Sequence, residues 1–360
     1  MITVVVVDDS AFMRKALSTM LEKDPEIRVV ATARDGQEGL DLIRKHDPNV
    51  VTLDIEMPRM DGLTALRHIM MEMPRPVLMV SSLTTEGAEA TLKAMELGAV
   101  DFIPKQLSKV SLDIVRIEEE LQEKVKQISR RRLRPPRPIS RSARTPLGGA
   151  IPGMGASVPP RAVVSRTGRP VRDVVAIGVS TGGPPAVQKV LSQLPGDFPA
   201  AILIAQHMPA AFTGPFAKRL DGVCKIKVKE AEPGDKAMPG VAYVAPGGKH
   251  IRLELRGGRM EVVVTPDPAE ALYKPSANVL MESVGMAMGR KALGVILTGM
   301  GSDGAEGMRV LKQKGGRVLA QNDASCVVYG MPKAVVEAGL ADEVHDIEDM
   351  AEAIMAGIYK

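Results

Sequence analysis

Ile2-Thr-Val-Val-Val-Val7-Asp8-Asp9 is a short β-branched run that stops on two carboxylates, and the rest of the N-terminal third repeats its plan. Further apolar runs at 29–33, 50–53, 76–80 and 100–103 alternate with helix-like stretches near 11–23, 37–45, 62–72, 87–97 and 110–128. That alternation predicts βαβ units, hence a parallel sheet with helices on both faces. Functional groups of such sheets gather at the carboxyl ends of the strands. Asp8 and Asp9 follow the first run, Asp54 the third, Ser81 the fourth and Lys105 the fifth. Carboxylates so placed repel one another unless a cation neutralises them, and an oxygen-only cluster suits Mg²⁺. With a hydroxyl and an ammonium at the same edge, the group forms a site for a phosphoryl group, with Asp54 as covalent acceptor.

The alternation resumes at Asp173. The run Val174-Val-Ala-Ile-Gly-Val179 leads into Ser180-Thr-Gly-Gly-Pro-Pro185 and a helix-like stretch to about Leu194. A serine at such a bend stands beside the free N–H groups of a helix start, which serve a phosphate or an oxyanion equally well. No lysine follows the glycines, so this is not a P-loop, and Ser180 reads as a turn residue or as a nucleophile. A second run, 200–205, ends in Gln206-His207-Met208-Pro209; His207 is a general base or a structural histidine. A third, 292–297, leads into Thr298-Gly-Met-Gly-Ser-Asp303-Gly304, where Asp303 is a helix N-cap or an orienting carboxylate. Together the three strand ends supply nucleophile, base and orienter. Their chain order differs from the Ser…Asp…His of α/β-hydrolases.

Of the other histidines, His46 and His68 fall in helices of the first domain, His345 in an acidic tail, and His250 is expected on a surface turn of a hairpin. Cys224 and Cys326 are too few for a disulfide framework or a zinc site of their own, and no role is assigned to them.

Between the two alternating regions the composition changes. From Val125 to Arg172 there are twelve Lys or Arg and no acid, so the formal +4 of the chain leaves −8 for the remainder. The same stretch is rich in Pro and Gly and reads as a flexible tether, giving expected domains at 1–125 and 171–360 with a linker at 126–170. The basic excess is local and has no aromatic residue to stack on bases, which argues against nucleic-acid binding. An acidic second domain without a basic helix-turn-helix pattern disfavours a transcription factor. No apolar run reaches the ~18 residues of a membrane span. The first residues lack the basic start of a signal peptide, so a soluble cytoplasmic protein is expected.

Val7-Asp8-Asp9-Ser10, Leu53-Asp54-Ile55-Glu56-Met57-Pro58-Arg59-Met60-Asp61-Gly62 and Phe102-Ile103-Pro104-Lys105 resemble the receiver domain of two-component response regulators over about residues 1–125. The resemblance implies a flavodoxin-like (βα)5 fold and phosphorylation of Asp54 by a histidine kinase. It implies Mg²⁺ on Asp8, Asp9, Asp54 and the Glu56 backbone carbonyl, and a switch of Ser81, Phe102 and Lys105. Gln106 departs from it, standing where the family usually has proline.

The second region, with Ile177-Gly-Val-Ser180-Thr-Gly-Gly183, Gln206-His207-Met208-Pro209, Ile296-Leu-Thr-Gly-Met-Gly-Ser-Asp303-Gly304 and Ala320-Gln-Asn-Asp-Ala-Ser-Cys-Val-Val-Tyr-Gly-Met-Pro332, looks like the chemotaxis protein-glutamate methylesterases. This implies a doubly wound, mostly parallel α/β serine-hydrolase domain with a β-hairpin and a Ser180–His207–Asp303 triad. Thr181 and Met300 would line the site and hold the oxyanion. The implied activity is hydrolysis of glutamyl methyl esters, and deamidation of glutamines, on methyl-accepting chemotaxis receptors, with no cofactor for that chemistry. The unphosphorylated receiver would inhibit it, and the protein would sit at receptor arrays by protein contacts, without inserting in the membrane. The competing expectation is a phosphorylation-controlled receptor-binding module without catalysis.

Overall fold

The computed structural model describes residues 1–105, 111–129 and 168–360. Gln106 and most of the expected linker lie outside the described residues.

The first unit runs β1 (Ile2–Val7), α1 (Ala11–Glu22), β2 (Ile27–Ala33), α2 (Gly36–His46), β3 (Val50–Asp54), α3 (Gly62–Glu72), β4 (Val77–Ser81), α4 (Thr85–Glu96), β5 (Asp101–Pro104) and α5 (Ser111–Ser129). Its five strands are parallel in the order β2-β1-β3-β4-β5. The chain reverses its direction of winding between β1 and β3, and a sheet of this kind opens its crevice there. Asp8 follows β1 and Asp54 closes β3. Asp54 and Ser81 are thus the last residues of their strands, one place earlier than the sequence pattern suggests. α5 continues four residues past the expected boundary at 125. Gly62 starts α3 because a Cβ there would stand 1.9 Å from the Asp54 carbonyl oxygen; only glycine lets the turn lie against the end of β3.

The second unit holds β6 (Val174–Val179), α6 (Gly183–Leu191), β7 (Ala201–Gln206), α7 (Ala210–Val223), β8 (Lys227–Glu230), β9 (Val241–Val244), β10 (His250–Arg256), β11 (Arg259–Thr265), α8 (Ala277–Met288), β12 (Ala292–Ile296), α9 (Ala305–Gln313), β13 (Arg317–Gln321), α10 (Met331–Glu337), β14 (Glu343–His345) and α11 (Met350–Tyr359). Seven parallel strands take the order β14-β13-β12-β6-β7-β9-β8, and β10 and β11 form a separate antiparallel hairpin. Both faces of β6, β7 and β12 are covered, so these strands are apolar throughout rather than alternating. The winding reverses between β6 and β12. Pairing of Val179 with Gln206 and of Gly178 with Ile296 brings the ends of β7 and β12 to either side of the turn that follows β6.

The two units meet along α4 and α7. The Phe102 ring of β5 stacks on Phe212 of α7, centroids 4.4 Å apart, and Arg219 of α7 pairs with Glu96 of α4. Among the described residues no helix is long and apolar enough to cross a membrane.

Candidate active site and phosphoacceptor site

The turn after β6 is tight. Ser180 N–H donates to the Thr298 carbonyl, and the Ser180 carbonyl accepts from Gly183 N–H at 2.8 Å and from Gln206 Nε2 at 3.0 Å. Gly182 has φ +73°, and a side chain on it would run into Val327. The nucleophile candidate is therefore held by backbone on both sides and opens α6 behind it.

Asp303 is buried and accepts four hydrogen bonds. His207 Nε2 reaches Oδ2 at 2.8 Å, Ser276 Oγ reaches Oδ1 at 2.9 Å, and the N–H groups of Ala277 and Asn278 supply 2.6 and 3.0 Å bonds. Asp303 thus serves a helix N-terminus, as an N-cap would, but that of α8 rather than of α9 just after it. Burial opposes its charge, yet the bond from His207 and those from the start of α8 outweigh it, so its pKa lies below the ordinary 3.8. A carboxylate on Nε2 fixes the proton on that nitrogen and leaves Nδ1 as the basic one. The Tyr273 ring lies on the imidazole, centroids 4.2 Å apart and 11° from parallel.

Ser180, Thr181, His207 and Met300 line one cavity of about 500 Å³. Among the described residues no hydrogen bond joins Ser180 Oγ to His207. The N–H groups of Thr181 and Met300 donate none either, which leaves both available to an oxyanion in the cavity. Pro104, Glu120 and Lys124 of the first unit line the same space. Lys124 Nζ is buried there between Asp101 (2.9 Å) and Glu120 (3.1 Å) and donates to the Phe102 carbonyl.

His250, expected on a surface turn, is fully buried. It opens β10, its Nδ1 accepts from Ser276 N–H at 3.1 Å, and Nε2 faces the Pro268 carbonyl. Gly247-Gly248-Lys249 lead into the hairpin, whose own turn is at Gly257-Gly258. Burial lowers the His250 pKa from 6.5, favouring the neutral ring that the Ser276 bond requires. His345 belongs to β14 rather than to a tail. Tyr273, Ser276 and the His250 contact were not read from sequence, although four tyrosines in 360 residues make each worth inspection.

At the other sheet edge, carboxylate oxygens of Asp8, Asp9 and Asp54 come within 4.8 Å of one another, and this oxygen donor set fits Mg²⁺. Lys105 Nζ stands 2.7 Å from Asp54 and 3.1 Å from Asp8. Burial, with the charge of Asp8, pushes Asp54 up to about 6 against the pull of Lys105. Glu56 N–H donates to Asp54 Oδ1 at 3.3 Å. Ser81 Oγ is turned toward α4, accepting from Thr91 Oγ1 at 2.6 Å and donating to the Gly87 carbonyl.

The arrangement is that of a serine hydrolase of α/β type joined to a phosphoacceptor domain. Residues 175–354 match the CheB methylesterase family and residues 4–115 the response regulator receiver domain. The chain is 78% identical, over the full length of both, to a protein-glutamate methylesterase/protein-glutamine glutaminase of Nitratidesulfovibrio vulgaris. It is 44% identical to one of Pyrococcus abyssi, over 99% of this chain and 94% of that one. The crystal structure of the Thermotoga maritima CheB methylesterase catalytic domain superposes with TM-score 0.50 at 38% identity, covering 51% of this chain and 98% of its own. The chain belongs to the CheB methylesterase family, with a response-regulator receiver in front of the catalytic domain.

Proposed function

We propose that this chain removes methyl groups from glutamyl methyl esters of methyl-accepting chemotaxis receptors, and ammonia from selected glutamines, under control of a phosphorylated Asp54. The observation that carries this reading is the His207–Asp303 bond beside Ser180 at three adjoining strand ends.

Ser180 Oγ attacks the side-chain ester carbonyl while its proton passes to His207 Nδ1. Asp303 holds the opposite nitrogen and stabilises the imidazolium. The N–H groups of Thr181 and Met300 take the oxyanion, each worth about 3–4 kcal/mol in comparable sites. As the tetrahedral adduct collapses, the C–O bond breaks and His207 returns the proton to departing methanol. Water, deprotonated by His207, then adds to the acyl-serine and frees the glutamate carboxylate and Ser180. With a glutamine the same steps expel ammonia. The hydrolysis uses only side chains and backbone of this chain.

In the receiver, Asp8, Asp9, Asp54 and the Glu56 carbonyl would hold Mg²⁺, which when bound supplies charge neutralisation for a phosphoryl group arriving from a histidine kinase. Lys105 pairs with the acceptor, and Ser81 and Phe102 carry the change outward. The receiver residues in the Ser180–His207 cavity support its reading as a lid in the unphosphorylated state. Domains at 1–125 and 171–360, joined by the basic segment, give that lid its freedom, in the cytoplasm at receptor arrays.

The test is methanol release from methylated receptor by wild type and Ser180→Ala, with and without a phosphodonor and Mg²⁺. The reading requires release that phosphodonor raises and the substitution abolishes. Unchanged release by Ser180→Ala would leave a binding module in its place.

A further inference from the structure

The imidazole of His207 is held along one edge by Asp303 and across one face by Tyr273. The Asp303 bond fixes the ring at Nε2 but still permits it to swing about that contact. A second constraint is needed to keep Nδ1 on the Ser180 side of the cavity. Tyr273 is placed to give it. Its ring is nearly parallel to the imidazole, and it lines the cavity that holds Ser180. Its hydroxyl reaches the Met300–Gly301 turn, where a Cβ on Gly301 would lie 3.5 Å from Oη. One side chain therefore spans from the base to the turn that offers the Met300 N–H.

We propose that Tyr273 is a positioning residue for His207: its ring fixes the imidazole plane from which Nδ1 serves Ser180, and its π-face shares the positive charge that the imidazole acquires in each transfer. The inference rests on the proposed Ser180–His207–Asp303 chemistry. Only the charged imidazole gains from the electron-rich face, so the contact strengthens as the proton leaves Ser180 and acts on turnover more than on substrate binding. A ring without the hydroxyl keeps the face, whereas an aliphatic side chain of similar bulk does not.

The experiment uses the full chain and membranes carrying methylated receptor, with methanol release followed with and without phosphodonor and Mg²⁺. Tyr273→Leu should lower kcat about ten-fold at unchanged KM, by the same factor in both states, as loss of one desolvated cation–π contact predicts. Tyr273→Phe should restore kcat to within about two-fold of wild type. Tyr273→Met, ringless and flexible, repeats the test if the leucine variant does not fold. Wild-type kcat in a folded ringless variant, or a phenylalanine variant as slow as leucine, would overturn the inference. So would a rise in KM at constant kcat, which would make Tyr273 only a wall of the substrate cleft. Ser180→Ala in the same assay separates the two claims. If it still turns over, the triad reading has failed; if it is inactive while Tyr273→Leu equals wild type, only the role of Tyr273 has failed.

Discussion

Phe102 lies flat against Phe212, a contact between β5 of the first unit and the helix that begins three residues after His207. The first unit is thereby joined to the chain beside His207 through one short stretch of α7. Receiver lysine Lys124 donates to the Phe102 carbonyl, and its ion pairs with Asp101 and Glu120 hold it in place.

Phe102→Ala should loosen this docking. A stacked aromatic pair is worth about 0.5–1.5 kcal/mol beyond its burial, so methanol release without phosphodonor should rise roughly 3–10-fold. The phosphorylated rate should stay near that of wild type. Equal basal rates in the two proteins would remove Phe102 from the docking contact.

Asp303→Asn should fold with α8 less firmly started and lose turnover by about 10⁴-fold, because an amide no longer fixes the imidazole proton on Nε2. Steady-state methanol release at saturating receptor is the readout. A loss confined to KM would contradict an orienting role.

His250 gives the catalytic unit a particular acid sensitivity. Its folded pKa lies below the unfolded 6.5, so between those two values the unfolded chain binds the extra proton and stability falls as pH falls. Above about 6.5 the neutral ring's contribution is fully present. Lys274 opposes a charge there, whereas Asp303 and Asp267 favour it less strongly. The thermal midpoint of wild type should therefore drop more steeply from pH 7 to pH 5 than that of His250→Gln. Parallel curves would show that His250 does not titrate on unfolding in that range.

Chelation should separate the two sites. Removal of divalent cation with EDTA should abolish stimulation by phosphodonor, since Asp8, Asp9 and Asp54 would lose the charge that balances a phosphoryl group. Basal methanol release should be untouched. A parallel fall of both would place a metal in the hydrolytic chemistry.

The strand-end residues were legible because a parallel sheet ties position in sequence to position in space. A residue that closes an apolar run stands at the carboxyl edge, which places Asp54, Ser81, Ser180 and His207 from the sequence. Asp303 was legible as a strand-end acid and as the partner of His207, but not in its bonds to the start of α8, which lies 25 residues upstream with nothing local to announce that its first N–H groups point there. His250 was misplaced for the same reason: neighbouring glycines suggest a surface turn, while its burial depends on Ser276 and Pro268 arriving from elsewhere. Tyr273 sits outside every helix and strand, where no periodicity applies. The packing of Phe102 on Phe212 joins residues 110 apart in the chain and follows no local pattern.

The joint between α4 and α7 also has a bearing on how such chains could be rebuilt. What Phe212 and Arg219 present to the receiver is a ring and a cation on one face of one helix. A substitute for the first unit would have to offer at least an aromatic side chain and an acid at matching separation. Interchange of input modules would therefore start from these two positions of α7 and from the cavity wall that Pro104, Glu120 and Lys124 complete.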